Sequence, residues 1–154
     1  MEKFKTGINV LDAMTTKPIT VDFEETMINA VKSMSQHRVG SLLVMQDKEI
    51  KGIVTERDLV HKLAKGLSLS DPVNRYMTPK KNMITITPEK DIYDAMLVMT
   101  ENSVRHLPVL EGKKVVGFIT TKDILKIEPQ LFELLAEKYE LREAERKPLD
   151  RWEQ

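Results

Sequence analysis

A repeat constrains this chain more than any other feature. Val10-Leu11-Asp12-Ala13-Met14-Thr15 returns as Val73-Asn74-Arg75-Tyr76-Met77-Thr78, at a spacing of 63. The spacing then becomes 65, which implies a two-residue insertion after Met77-Thr78. Ile19-Thr20-Val21 matches Ile84-Thr85-Ile86, Ala30 and Met34 match Ala95 and Met99, and Val39 and Val44 match Val104 and Val109. Gly52-Ile53-Val54-Thr55-Glu56-Arg57-Asp58 matches Gly117-Phe118-Ile119-Thr120-Thr121-Lys122-Asp123. Self-similarity at a fixed spacing marks one supersecondary unit used twice.

Each copy predicts the same elements. A short helix comes first, at residues 10–14 and 72–77, the second with Asp71 as cap and Pro72 in its first turn. A β-branched strand follows at 18–21 and 83–86. The next helix in copy one is expected to open at Asp22 as N-cap with Glu25 at N3, and to bury Met27, Ala30, Val31 and Met34. In copy two Thr87-Pro88 opens it, with Ile92, Ala95, Met96 and Met99 on its face. Hairpins turn at 46–49 and 111–114, and a last helix follows each threonine, the first ending at Gly66. The class is mixed α/β: two β-α-β-β-α units related by a pseudo-twofold axis and packed sheet to sheet, plus a C-terminal helix suggested by Leu131, Leu134, Leu135 and Leu141. Each unit alone exposes an apolar sheet face that needs cover. The expected domains are 8–66, 67–127 and 128–154. Packing the halves together creates two related clefts at the seam.

Composition narrows the function. The 154 residues are 41% hydrophobic and hold 24 cationic and 24 anionic side chains, so the formal net charge is zero. Net neutrality disfavours nucleic acid, whose binders draw affinity from excess cations. The absence of cysteine excludes disulfides, zinc–thiolate sites and thiol catalysis. No apolar run approaches the ~18 residues of a membrane span, and no secretory signal is visible, so a cytoplasmic location is expected. His37 and His61 lack ligand spacing, so no metal site is expected. No nucleophile–base pair or phosphate-cradling glycine loop argues for an enzyme.

The paired Met-Thr steps, the run Val104-Arg105-His106-Leu107-Pro108-Val109 and the doubled Gly-x-x-Thr-x-x-Asp together resemble a tandem cystathionine-β-synthase (CBS) domain protein, or Bateman module, over roughly residues 8–127. That resemblance implies a stand-alone ligand sensor: AMP, ADP, ATP or S-adenosylmethionine in a cleft between the domains, no required cofactor, a homodimer, and an unidentified regulated protein. The alternative is an assembly module with no physiological small ligand, working through residues 129–154 and Trp152.

The residues fit such a ligand, each beside a plainer reading. Ionised Asp58 and Asp123 offer acceptors for a ribose diol, with Thr55 and Thr120 three residues earlier at a helix start. Thr-x-x-Asp is equally a capping box, and the threonines can serve both roles. Arg105 can fork onto phosphate with His106 beside it, or lie on the surface. Copy one has uncharged Gly40-Ser41 there, so the clefts should be unequal, the anionic nucleotide going where Arg105 and His106 point. Arg57 and Lys122 can assist at phosphate or be solvated. By the resemblance Ile19-Thr20 and Thr85-Ile86 line an adenine slot, against plain strand packing, and Pro108 completes the site.

Overall fold

The computed structural model describes residues 4–131 together with Glu133, Leu134, Ala136 and Glu137. The elements are α1 (Val10–Ala13), β1 (Thr20–Asp22), α2 (Met27–His37), β2 (Ser41–Gln46), β3 (Glu49–Thr55), α3 (Glu56–Ala64), β4 (Thr78–Pro79), α4 (Ile92–Asn102), β5 (His106–Glu111), β6 (Lys114–Thr120) and α5 (Thr121–Ile127). The first sheet has the order β1-β2-β3-β4, with β1 parallel to β2 and the other pairs antiparallel. The second holds β5-β6, flanked by a parallel bridge Ile86–Val109 and an antiparallel bridge Thr15–Phe118. The predicted hairpins form, the first through the two-residue turn Asp47-Lys48 with φ of 51° and 66°. The predicted C-terminal helix lies mostly outside the described residues, as do the charged run 143–151 and Trp152.

The copies are closed by each other's leading segments. Val10 N–H donates to Lys90 O at 2.8 Å and Val73 N–H to Glu25 O at 2.7 Å. Ile92 N–H donates to Ile8 O at 3.0 Å, matching Met27 N–H to Asp71 O at 2.9 Å. Thr15 pairs with Phe118, and Thr78 with Ile53. Burial follows the same exchange: Val10 joins the core of Ile92, Met99, Leu107 and Ile119, whereas Val73 and Tyr76 join that of Met27, Leu42 and Val54. Burying such side chains supplies roughly 1.5–3 kcal/mol each. A third cluster, Leu43, Ile50 and Ile53 with Met45, Met83, Val115 and Phe118, joins the two sheets at the seam.

The exchange explains two glycines. A Cβ on Gly52 would fall 2.9 Å from the Met77 sulfur and closer still to the Thr78 carbonyl oxygen. A Cβ on Gly117 would collide with the Met14 thioether, 2.9 Å from its methyl group. Each Met-Thr step lies on the glycine of the other copy's Gly-x-x-Thr-x-x-Asp run.

Four expectations need correction. Helix α2 opens at Thr26, not Asp22, and Thr26 makes no side-chain cap. Asp22 instead ends β1 and accepts from Glu24 N–H, while Met27 and Ile28 N–H donate to Asp71 O and Leu69 O. Carbonyls of the connecting segment therefore do the capping. Likewise α4 opens at Asp91, in a capping box with Asp94, rather than at Thr87-Pro88. The predicted strand at 83–86 shrinks to the bridge at Ile86. Phe23 N–H extends β1 by donating to Met45 O, and Pro88, at the matching position, has no N–H to give. Finally, the leading helix of copy two is a 3-10 turn, Val73–Arg75, with Pro72 itself at the cap position.

Candidate ligand-binding site

The Gly-x-x-Thr-x-x-Asp runs place both aspartates at strand-to-helix junctions. Thr55 ends β3 and caps α3, and Thr120 ends β6 and caps α5, each with a reciprocal capping box. Thr55 N–H donates to Asp58 Oδ2 at 3.0 Å and Asp58 N–H to Thr55 Oγ1 at 3.1 Å. The same bonds at Thr120 and Asp123 measure 2.9 and 3.2 Å. Capping is thus realised in both copies. It engages Oδ2 alone, and Oδ1 of each aspartate makes no hydrogen bond among the described residues. Burial pushes the Asp58 carboxyl up, against the lowering pull of the Thr55 bonds and of Lys62 and His61.

The strand starts lie beside these junctions. Ser41 pairs directly with Thr55, and His106 with Thr120, so each pair shares a face of its sheet. Leu43 and Ile53 continue the first face, and Pro108 and Phe118 the second, which are the faces that meet at the seam. Glu56 N–H donates to Gly40 O at 3.0 Å and Thr121 N–H to Arg105 O at 2.9 Å, so Gly40 and Arg105 are structurally equivalent. Arg57, Arg105 and Lys122 are exposed.

Other expected residues divide. The Ile19 and Ile86 side chains pack into the two cores, whereas Thr20 and Thr85 are exposed. Pro108 is buried. His106 stacks on Phe118, with ring centroids 5.7 Å apart and planes 14° apart. Burial lowers its pKa from 6.5 to about 4, so at neutral pH it is an uncharged donor and Arg105 is the cation of the pair. The signal for this was Phe118, which the repeat aligns with Ile53 and which supplies the ring. One residue that the pattern did not single out is Asp91. It is 7% exposed, and accepts from Thr6 N–H, Gly7 N–H, Tyr93 N–H and the Thr6 hydroxyl at 2.8–3.0 Å. A hollow of about 310 Å³ lies beside this anchor, between Phe4, Thr6, Glu128 and Leu134, and none of the expected site residues lines it.

The His106 pKa has a measurable consequence. Between pH 6.5 and about 4 the unfolded chain binds a proton at this imidazole that the folded chain refuses. Stability present above pH 6.5 is therefore lost on acidification, by up to about 3 kcal/mol. Asp58 acts oppositely, because a raised carboxyl pKa favours the folded state in acid. Urea unfolding at pH 7 and pH 4.5 should show a smaller acid loss in His106→Gln than in the unaltered chain. Equal losses in both would refute the burial argument.

Comparison with known proteins fixes the family. The sequence profile of the CBS domain matches residues 10–65 and again 73–129. This chain belongs to the CBS domain family. A mitochondrial CBS domain-containing protein of Arabidopsis thaliana is 40% identical over 108 residues, which are 67% of this chain and 52% of that protein. The match thus spans about half the length of that relative. A solved protein with CBS domains from Burkholderia ambifaria superposes with TM-score 0.71 at 33% identity, covering 77% of this chain and 92% of its own. A CBS domain pair solved with 5′-methylthioadenosine and S-adenosyl-L-methionine shares the fold at TM-score 0.69 and 24% identity, covering 78% and 98%. Both CBS copies thus sit in one chain, as the repeat implied. Among the described residues no helix is long and apolar enough to cross a membrane.

Proposed function

We propose that this CBS pair is a regulatory module that binds an adenosine-containing ligand where the two halves meet, and is not an enzyme. The supporting observation is the same half-used carboxylate at both junctions. Asp58 and Asp123 hold their helix starts through Oδ2 and keep Oδ1 available, so capping and ribose binding are compatible in one side chain. Beside them stand Ser41 and Gly40 in one half, and His106 and Arg105 in the other. The adenosine ligands of the distant CBS pair are of this class. The test is thermal shift with AMP, ADP, ATP, S-adenosylmethionine and NAD. A binder at 100 times its dissociation constant stabilises by about 2.7 kcal/mol. Asp58→Asn and Asp123→Asn together should abolish that shift, while the fold survives because asparagine still caps. No shift with any adenosine compound ends the sensor reading.

Self-association is the second part of the proposal. Helix α3 buries none of its residues, and Val60 and Leu63 are 66% and 40% exposed. Leu125, at the matching place on α5, is also exposed. Apolar positions repeated on both halves suit contact with a second copy. A cytoplasmic setting and a regulated partner protein complete this reading.

A further inference from the structure

The two junctions differ most at one place. In the first half Gly40 has no side chain, and the Glu56 carboxyl folds over it. A Cβ there would stand 3.3 Å from Glu56 Cδ and 3.4–3.5 Å from both carboxylate oxygens. In the second half the equivalent pair is Arg105 and Thr121, joined by the same backbone hydrogen bond. An anion in one half thus replaces a cation in the other. The flanking helices do not offset this difference. Helix α3 carries Arg57 and Lys62 with His61, and α5 carries Lys122 and Lys126.

A second observation lies beside Glu56. Ser41 is 7% exposed, yet its hydroxyl makes no hydrogen bond among the described residues. It shares a sheet face with Thr55, whose partner Asp58 keeps Oδ1 available. No buried side-chain polar atom among the described residues lacks a partner, so the Ser41 oxygen itself reaches solvent and is open to a ligand from outside. At the matching position His106 fills the space with a ring stacked on Phe118.

We propose that the two clefts are sorted by charge: the first, where Glu56 covers Gly40 beside the Ser41 hydroxyl, takes an adenosine with a cationic 5′ substituent, and the second, beside Arg105, takes a 5′-phosphate. The inference rests on the nucleotide reading above and adds which compound goes where. A carboxylate at the 5′ end repels a phosphate and attracts a sulfonium or ammonium group. A guanidinium does the reverse, and forks onto phosphate oxygens.

The test is calorimetric titration of the full chain with three probes: S-adenosylmethionine, its uncharged counterpart 5′-methylthioadenosine, and AMP. S-adenosylmethionine and AMP should bind together, one of each, without displacing one another. Glu56→Gln should weaken S-adenosylmethionine about two- to fivefold, the scale of one exposed charge contact, and leave 5′-methylthioadenosine unchanged. The paired exchange Gly40→Arg with Glu56→Thr should raise AMP stoichiometry from one to two. Mutual displacement of S-adenosylmethionine and AMP overturns the sorting, as does equal weakening of both thioadenosine compounds by Glu56→Gln. Absence of binding by all three probes to the unaltered chain overturns the nucleotide reading itself. Glu56 is exposed, so its glutamine variant keeps the test decisive even where the double exchange fails to fold.

Discussion

Gly52→Ala should destabilise the protein by about 3–4 kcal/mol, and Gly117→Ala by about 1–2 kcal/mol. The two glycines are equivalent in the repeat, so sequence alone would assign them equal costs. The difference lies in what each new methyl group meets. At Gly52 it meets the Thr78 carbonyl oxygen, a backbone atom held in the β3–β4 pairing by the register Gly52–Pro79 and Ile53–Thr78. Relief there requires breaking the pairing that closes the first half. At Gly117 its three nearest neighbours are all atoms of the Met14 side chain, which has rotatable bonds and can swing aside. Double-mutant cycles separate the cases. Met14→Ala should recover at least about 1 kcal/mol of the Gly117→Ala loss, whereas Met77→Ala should recover little of the Gly52→Ala loss. Urea unfolding of the six variants measures both couplings. Equal costs at the two glycines, or full rescue by Met77→Ala, would remove the backbone from the explanation.

Most of the architecture was legible because it is local and periodic. The short apolar runs of β2, β3, β5 and β6 on either side of the turns at 46–49 and 111–114, and the helical spacing of Met27, Ala30 and Met34, need no knowledge of distant residues. The Thr-x-x-Asp capping boxes were legible for the same reason. What sequence did not reveal was set by partners far along the chain. Helix α2 opens late because Asp71 O and Leu69 O receive its first amides, and no side chain of its own records that. The strand at Ile86 stops short because of Pro88, a local signal read instead as a helix start. The Asp91 anchor escaped notice because its donors, Thr6 and Gly7, lie over 80 residues away. At the candidate site, Arg105 and the aspartates were legible as residue types. The uncharged state of His106 was not, because it depends on burial against Phe118 across the hairpin. Nor was the fold of Glu56 over Gly40, which needs the β3–α3 junction and the start of β2 side by side.

The exchange of leading segments predicts which piece of the chain stands alone. Residues 16–79 should give a cooperative thermal transition, and residues 8–66, the sequence copy, should not. The piece 8–66 keeps α1, whose Val10 belongs to the other half's core, and loses Val73 and Tyr76, both 0% exposed in its own. That removes roughly 3–6 kcal/mol of apolar burial. It also strands the Met27, Ile28 and Val73 pairings with Asp71, Leu69 and Glu25. A unit this small has only a few kcal/mol to spare, so the loss exceeds its stability. The piece 16–79 retains the whole first sheet, including β4, and every one of those contacts. It leaves Leu43, Ile50 and Ile53 uncovered, where the second sheet normally packs. It should therefore pair with itself through that face, rebuilding a symmetric version of the native seam. Circular dichroism melts and sedimentation equilibrium read both outcomes. A cooperative melt for 8–66 matching that of 16–79 would mean that the crossed segments decorate the halves without completing them.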